Sequence, residues 1–510
     1  MTPPFARFRR RQPAPCPTAL LRRLFAVAAI VGAVTTVAAA EPALPLVAEY
    51  ESSTTAYRAA LEELAVRAEG HGLELLAKHV RGWSPAPSAD RARFFLAGEA
   101  DAPLAAATAA SAYAAAFQER FAELRKTRAQ ALFALARRAA EGKQFSQAVA
   151  WTYETLREDP AHADAGRVLG RQLHDGRQMS PFAIAKRRAG QVWHPSFGWL
   201  PQDQVARYEA GERYLGGKWV TAAEDARIHA TIDRGWTIDT ENFRVVTNHS
   251  LEEGARLADR LEKMHQVWRQ LFARYHTAEA EWTRLFAGGA PREYNRKRYN
   301  VVYLRNKEEY VAALVKREPK IELTSGIFMA DDDRAYFFAD AARSNDPFVF
   351  HEVTHQLFSL AKPTALRVGV RGNFWIVEGV ACHFESLALH GDYAELGGVD
   401  NPRMKAARFR LLQDKFFVPT AEFAAMSLGQ MQSNPRIATL YSQAAGMASF
   451  LLESDGGRYR EAAVDYLQAI YGNKDTATTL AQMTGRSFAE LDAEYQAYIA
   501  GLPEPGAASN

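Results

Sequence analysis

The chain has 510 residues, 48% of them hydrophobic and 24% charged, which allows several domains around a large core and excludes a disordered chain. Its formal charge of +3 comes from the first forty residues, which hold six arginines and no acid; without them 56 basic side chains face 59 acidic ones. No concentrated basic face is left, which excludes a nucleic-acid binder.

Residues 1–40 read as a signal peptide. Arg7, Arg9, Arg10, Arg11, Arg22 and Arg23 form the positive region, "LFAVAAIVGAVTTV" the apolar region, and Ala38–Ala40 a small-residue cleavage site. The expectation is an exported, periplasmic or extracellular protein of bacterial type. An uncleaved N-terminal anchor is the competing reading, because the apolar run is about the shortest that spans a bilayer. Of the two cysteines, Cys16 precedes the apolar run, so only Cys382 stays in the mature chain and no intrachain disulfide is expected.

Residues 41–179 read as all-helical, rich in Ala, Leu, Glu and Arg, with "SPAPSAD" as a loop. Within them Ala131–Gly170 resembles a tetratricopeptide unit, with Gly142 at the turn and Ala148 as the small packing position. One such unit is short of a solenoid, so a plain helical hairpin capping the next domain is the simpler reading, and a protein partner on this region the alternative. Residues 180–240, with "FGWLP", "YLGGKWV" and "DRGWTI", read as Gly/Trp-rich β-hairpins or a linker.

Residues 241–500 then read as α+β. "FRVVTN" and "YNVVYL" alternate as strands, an apolar stripe from Leu251 to Phe272 marks an amphipathic helix, and Ser325–Ala339 reads as a hairpin about Asp331–Asp333. From there to Ile499 the pattern is helical, followed by a disordered tail, 501–510. The fold class is therefore α+β: a helical N-terminal region, a small mixed sheet, and a mostly helical C-terminal part.

The chemistry concentrates in "FVFHEVTHQLFSL". On a helix, His351 and His355 share a face one turn apart and can aim two imidazole nitrogens at one tetrahedral zinc. Glu352 falls on the neighbouring face, where a general base for hydrolysis belongs. A catalytic zinc needs a third protein ligand and an open position. Glu378 offers it from the apolar "FWIVEGVACHFES", where an unpaired carboxylate would be costly. Gly379 is expected to let that helix approach the histidine helix closely. Glu385, two turns after Glu378, is placed to accept the second ring N–H of a ligand histidine, with a surface ion pair as the alternative. His383 points away and reads as a non-ligand.

HExxH, about twenty residues, then WxxEGxAxxxE, with 22 residues between His355 and Glu378, resembles the gluzincin zinc metallopeptidases, the group of thermolysin and aminopeptidase N. The form "HEVTHQLF…FWIVEGVACHFE" is most similar to secreted bacterial domains of unknown function in that superfamily. The resemblance spans about residues 240–500 and is most specific over His351–Glu385. It implies a gluzincin-like domain with Zn2+ held by His351, His355 and Glu378, and Glu352 as base. "YSQAAGMASFLL" is similar to the segment carrying the oxyanion tyrosine, which implies that role for Tyr441. It also implies that an extended peptide or protein substrate pairs with an edge strand, here within Ser325–Ala339, ahead of the histidine helix. No "GxMEN" exopeptidase motif is present, so an endopeptidase is favoured over an aminopeptidase. The alternatives are an exported helical scaffold with an inactive peptidase-like domain, and a zinc hydrolase of non-peptide amides.

Overall fold

A computed structural model describes residues 44–88, 90–97, 112–292, 297–340, 346–364 and 368–504. Residues 1–40, read above as a signal peptide, and residues 505–510 of the expected tail lie outside the described residues. About 59% of the described residues are helical and 14% strand, in several small sheets, which makes the fold α+β. Among the described residues no helix is long and apolar enough to cross a membrane.

The N-terminal helices Leu44–Gly70, Glu74–Trp83, Ala112–Glu141 and Phe145–Glu158 pack as antiparallel neighbours. In the turn before Phe145 the left-handed residue is Lys143 (φ 61°), not Gly142. Ala148 is fully buried there. The region is not all-helical as expected: Arg91–Phe95 is a strand, β1, and β2 (Gln172–His174) pairs with β3 (Arg177–Met179).

Between residues 170 and 230 a hairpin-plus-helix unit recurs. The hairpins are β2–β3, β4 (Gln191–His194) with β5 (Gly198–Pro201), and β6 (Glu212–Leu215) with β7 (Lys218–Thr221). Each begins after a short helix closed by a glycine of positive φ: Gly170, Gly190 and Gly211 at 70°, 73° and 87°. The left-handed backbone at these helix ends suits glycine, which has no Cβ to clash. Successive units are tied by the amides of Gln202 and Ala222 donating to the carbonyls of Gly190 and Gly211. Arg207 stacks 3.7 Å over Trp219, and Arg213 lies 4.6 Å over Phe197.

The main sheet has β8 (Trp236–Asp239), β9 (Phe243–Thr247), β10 (Tyr299–Leu304), β11 (Gly326–Met329) and β12 (Arg334–Phe338), in the order β11-β12-β10-β9-β8. β9, β10 and β12 run parallel, and the outer strands β8 and β11 are antiparallel to their neighbours. Alternation sets its inner face: Phe243, Val245, Tyr299, Val301 and Tyr303 are buried against Leu257, Leu261, Met264 and Trp268 of the helix Leu251–Leu271. The helix Lys307–Leu314 covers the other face through Tyr310 and Leu314, against Leu304, Tyr336 and Phe338. β11 is left as an edge.

The C-terminal part is not helical throughout, because β13 (Ala388–His390) and β14 (Tyr393–Gly397) form a hairpin after the second motif helix. β14 pairs antiparallel with β1, Arg91 opposite Gly397 and Phe95 opposite Tyr393. A buried network reinforces this contact: Glu158 accepts from Tyr57, Trp83 and Arg157, while Arg157 Nε reaches Asp392 Oδ2 at 2.6 Å in the hairpin turn.

The helix Phe374–Phe384 is buried along its whole length against the helix Ile437–Gly457. Gly379 permits this approach, and not one to the histidine helix as expected: a Cβ there would lie 2.5 Å from the carbonyl oxygen of Ala444. Alanine is the better helix former by about 1 kcal/mol, but overpacking against a backbone costs about 1–3 kcal/mol. Gly379→Ala is therefore expected to lower the melting temperature in calorimetry, and Gly379→Val more so. A Gly379→Ala protein melting above wild type would overturn this contact.

Candidate metal centre

The helix Asp346–Leu360 buries Val349, Phe350, Val353, Leu357 and Phe358, and so leaves His351, Glu352 and His355 on its half-buried side. The next helix delivers Glu378 to the same point. Its start is held by Asn373 in the left-handed region (φ 58°), whose side chain donates to Asp475 and accepts from Tyr466. Trp375, Ile376 and Val377 are buried as the surrounding apolar wall.

Three ligand atoms converge. His351 Nε2 and His355 Nε2 are 3.2 Å apart, and Glu378 Oε2 lies 3.4 and 3.7 Å from them. Tetrahedral zinc with bonds of about 2.0–2.1 Å needs donor atoms about 3.3 Å apart, so these three form a face of the right size for that ion. The donor set, two imidazoles and one carboxylate, also suits it. Burial alone would raise the Glu378 carboxyl, but His355 and His351 outweigh it and hold that group far below the usual carboxylate range. Burial alone would depress the His351 imidazolium; hydrogen bonds to Cys382, Glu378 and Glu385 outweigh it and raise it. The two shifts run in opposite directions, as in a buried ion pair between an imidazolium and a carboxylate.

Glu385 accepts from His351 Nδ1 at 2.9 Å, which leaves Nε2 as the ring nitrogen turned to Glu378. Arg403 fixes Glu385 in turn, donating through Nε at 2.9 Å and Nη2 at 3.0 Å. Asn401 caps the helix Pro402–Leu412 by accepting from the Arg403 amide, which sets that arginine in the first turn. Burial would raise Glu385, and the two partners hold it lower.

Glu352 stands outside the triangle and accepts from the backbone amide of Phe328, in the edge strand β11, at 2.9 Å. Tyr441 is half-buried in the first turns of the helix Ile437–Gly457. Burial first, then the nearby Glu378 carboxylate, raises its phenol well above the ordinary range, so it stays a donor at neutral pH. The Gly379–Ala444 contact holds its helix against the one that carries Glu378.

No family model matches the chain, and no curated protein matches it. The functional reading rests on the site itself.

His383 is apart from the cluster: it is buried and pairs with Glu453 across 2.9 Å. Cys382 lies beside His351 and Glu385, where burial raises its thiol above the ordinary range. The sequence pattern gives no hint of three participants. Arg403 and the Phe328 amide come from other parts of the chain, and the place of Cys382 beside His351 depends on helix packing. Glu385→Ala is expected to weaken zinc binding about 10–100-fold by competition with a chromophoric chelator, since partners that orient ligands carry that much affinity. Arg403→Ala should act in the same direction and less strongly. Unchanged affinity in both would remove this chain from the site.

Proposed function

We propose that the chain is an exported zinc metallopeptidase, an endopeptidase of the gluzincin type, with residues 241–500 as its peptidase domain. The single observation that carries this reading is the triangle of His351 Nε2, His355 Nε2 and Glu378 Oε2 with Glu352 beside it and outside it. The export part rests on the arginine-rich and apolar pattern of residues 1–40. Zinc, when held there, supplies the Lewis acid that polarises a scissile carbonyl and acidifies water. Glu352 takes the proton from the attacking water and returns it to the leaving amine. Tyr441 donates its hydroxyl hydrogen to the oxyanion that develops on the substrate. Glu385, steadied by Arg403, keeps His351 in one tautomer and orientation. β11 offers its outer backbone edge to an extended peptide, and the helical region 41–179 offers a surface for a protein partner.

The test is zinc content together with cleavage of a denatured protein mixture, with and without chelator. Stoichiometric zinc and chelator-sensitive cleavage are expected. Purified protein that neither holds zinc nor takes it up would sink the reading. Zinc without cleavage of any peptide would favour a hydrolase of non-peptide amides or an inactive scaffold.

A further inference from the structure

β11 is the outer strand of the main sheet, with Phe328 opposite Ala335 of β12. Along such an edge, alternate residues turn their backbone groups inward to the ladder or outward, and an outward amide has no partner in the sheet. The Phe328 amide faces outward, because its hydrogen goes to Glu352 Oε2 at 2.9 Å. The other carboxylate oxygen receives no protein donor among the described residues. A glutamate has three rotatable bonds, and among the described residues the Phe328 amide is the hydrogen-bond donor that fixes the end of this one. A base displaced by about 1 Å from its water loses roughly a hundredfold in rate.

We propose that the backbone amide of Phe328 is the positioning group for Glu352: the edge strand orients the base through one fixed hydrogen bond, besides any pairing with substrate. The Phe328 side chain has no part in this, and neither does the metal triangle. The kinetic half of the inference rests on the metallopeptidase reading; the contact itself does not.

Two measurements test it. Hydrogen–deuterium exchange of the segment 326–329 is compared in the wild type and Glu352→Ala, both metal-free. One amide is expected to exchange at least about tenfold faster in the variant, as a lost hydrogen bond of about 1.4 kcal/mol requires. Equal exchange overturns the contact, whatever the protein's activity. The second measurement uses Phe328→Pro, which removes this hydrogen and no ladder bond, since proline is tolerated on an edge strand where the missing donor faces outward. Phe328→Ala, which deletes the ring and keeps the amide, sets the baseline. kcat of the proline variant is expected about ten- to a hundredfold below that baseline, with KM within about twofold and zinc content unchanged, because only the base has moved. Equal kcat for the two variants overturns the proposal. If proline disturbs the strand by circular dichroism, phenyllactate incorporated at position 328 replaces the amide with an ester of nearly the same shape, and the same kcat loss is required of it. A wild type that binds zinc and cleaves no peptide fails the functional reading, and the exchange result still decides the contact.

Discussion

Glu352→Gln is expected to purify with as much zinc as the wild type and to lose about two to four orders of magnitude in peptide hydrolysis, the usual contribution of a general base. The geometry requires both halves of that result. Glu352 contributes no atom to the triangle that suits zinc, so metal affinity has no reason to change. The amide keeps the shape of the carboxylate, and its oxygen can still accept from Phe328 at the present 2.9 Å, so the fold and the placement of the side chain survive. What is lost is the ability to take a proton from water, because a carboxamide is not a base at neutral pH. Zinc measured by plasma mass spectrometry and initial rates on a denatured protein substrate decide the matter. Retained activity would exclude Glu352 as the base, and lost zinc would make it a ligand.

The site was legible in the sequence where its logic is local. His351, Glu352 and His355 lie on one helix, and the 3.6-residue period alone places them. Glu378 and Glu385 lie two turns apart in so apolar a run that each carboxylate needs a partner. The alternation in "FRVVT" and "YNVVYL" likewise marks β9 and β10, because a sheet face against a helix demands period-two burial. What stayed hidden depends on distant parts of the chain. β1, "RARFF", has a weak strand pattern and owes its conformation to β14, some 300 residues later. The β13–β14 hairpin is short and follows a helix directly, so only the Gly391–Asp392 pair signalled a turn. Gly379 advertised a close approach but not to which neighbour, and the neighbour is the Tyr441 helix. Arg403 lies 18 residues beyond Glu385 in a new helix, and no spacing rule connects the two. The recurring hairpin unit had a readable mark, glycines 20 and 21 residues apart at 170, 190 and 211, hidden by the dissimilar residues between them.

Glu378→Ala should give the opposite pattern to Glu352→Gln: no zinc retained through dialysis, and no hydrolysis. Two histidines on one helix leave a tetrahedral site half empty of protein ligands, whereas zinc centres that act in catalysis hold three. The loss can be read without any substrate. A ligand that binds only the folded state stabilises it by RT ln(1 + [L]/Kd), about 4 kcal/mol at a thousandfold excess over Kd, so zinc should raise the melting temperature of the wild type and of Glu352→Gln alike. The same titration should leave Glu378→Ala unmoved. Alanine is the best helix former and position 378 lies within the helix Phe374–Phe384, so the variant keeps its helix and circular dichroism can verify this. If the triangle were only an ion-paired polar cluster, zinc would shift none of the three proteins, and Glu378→Ala would differ from wild type only in its metal-free melting point. A zinc-dependent shift that survives Glu352→Gln and vanishes with Glu378→Ala separates ligand from base, and it separates a metal centre from two histidines that happen to share a helix face.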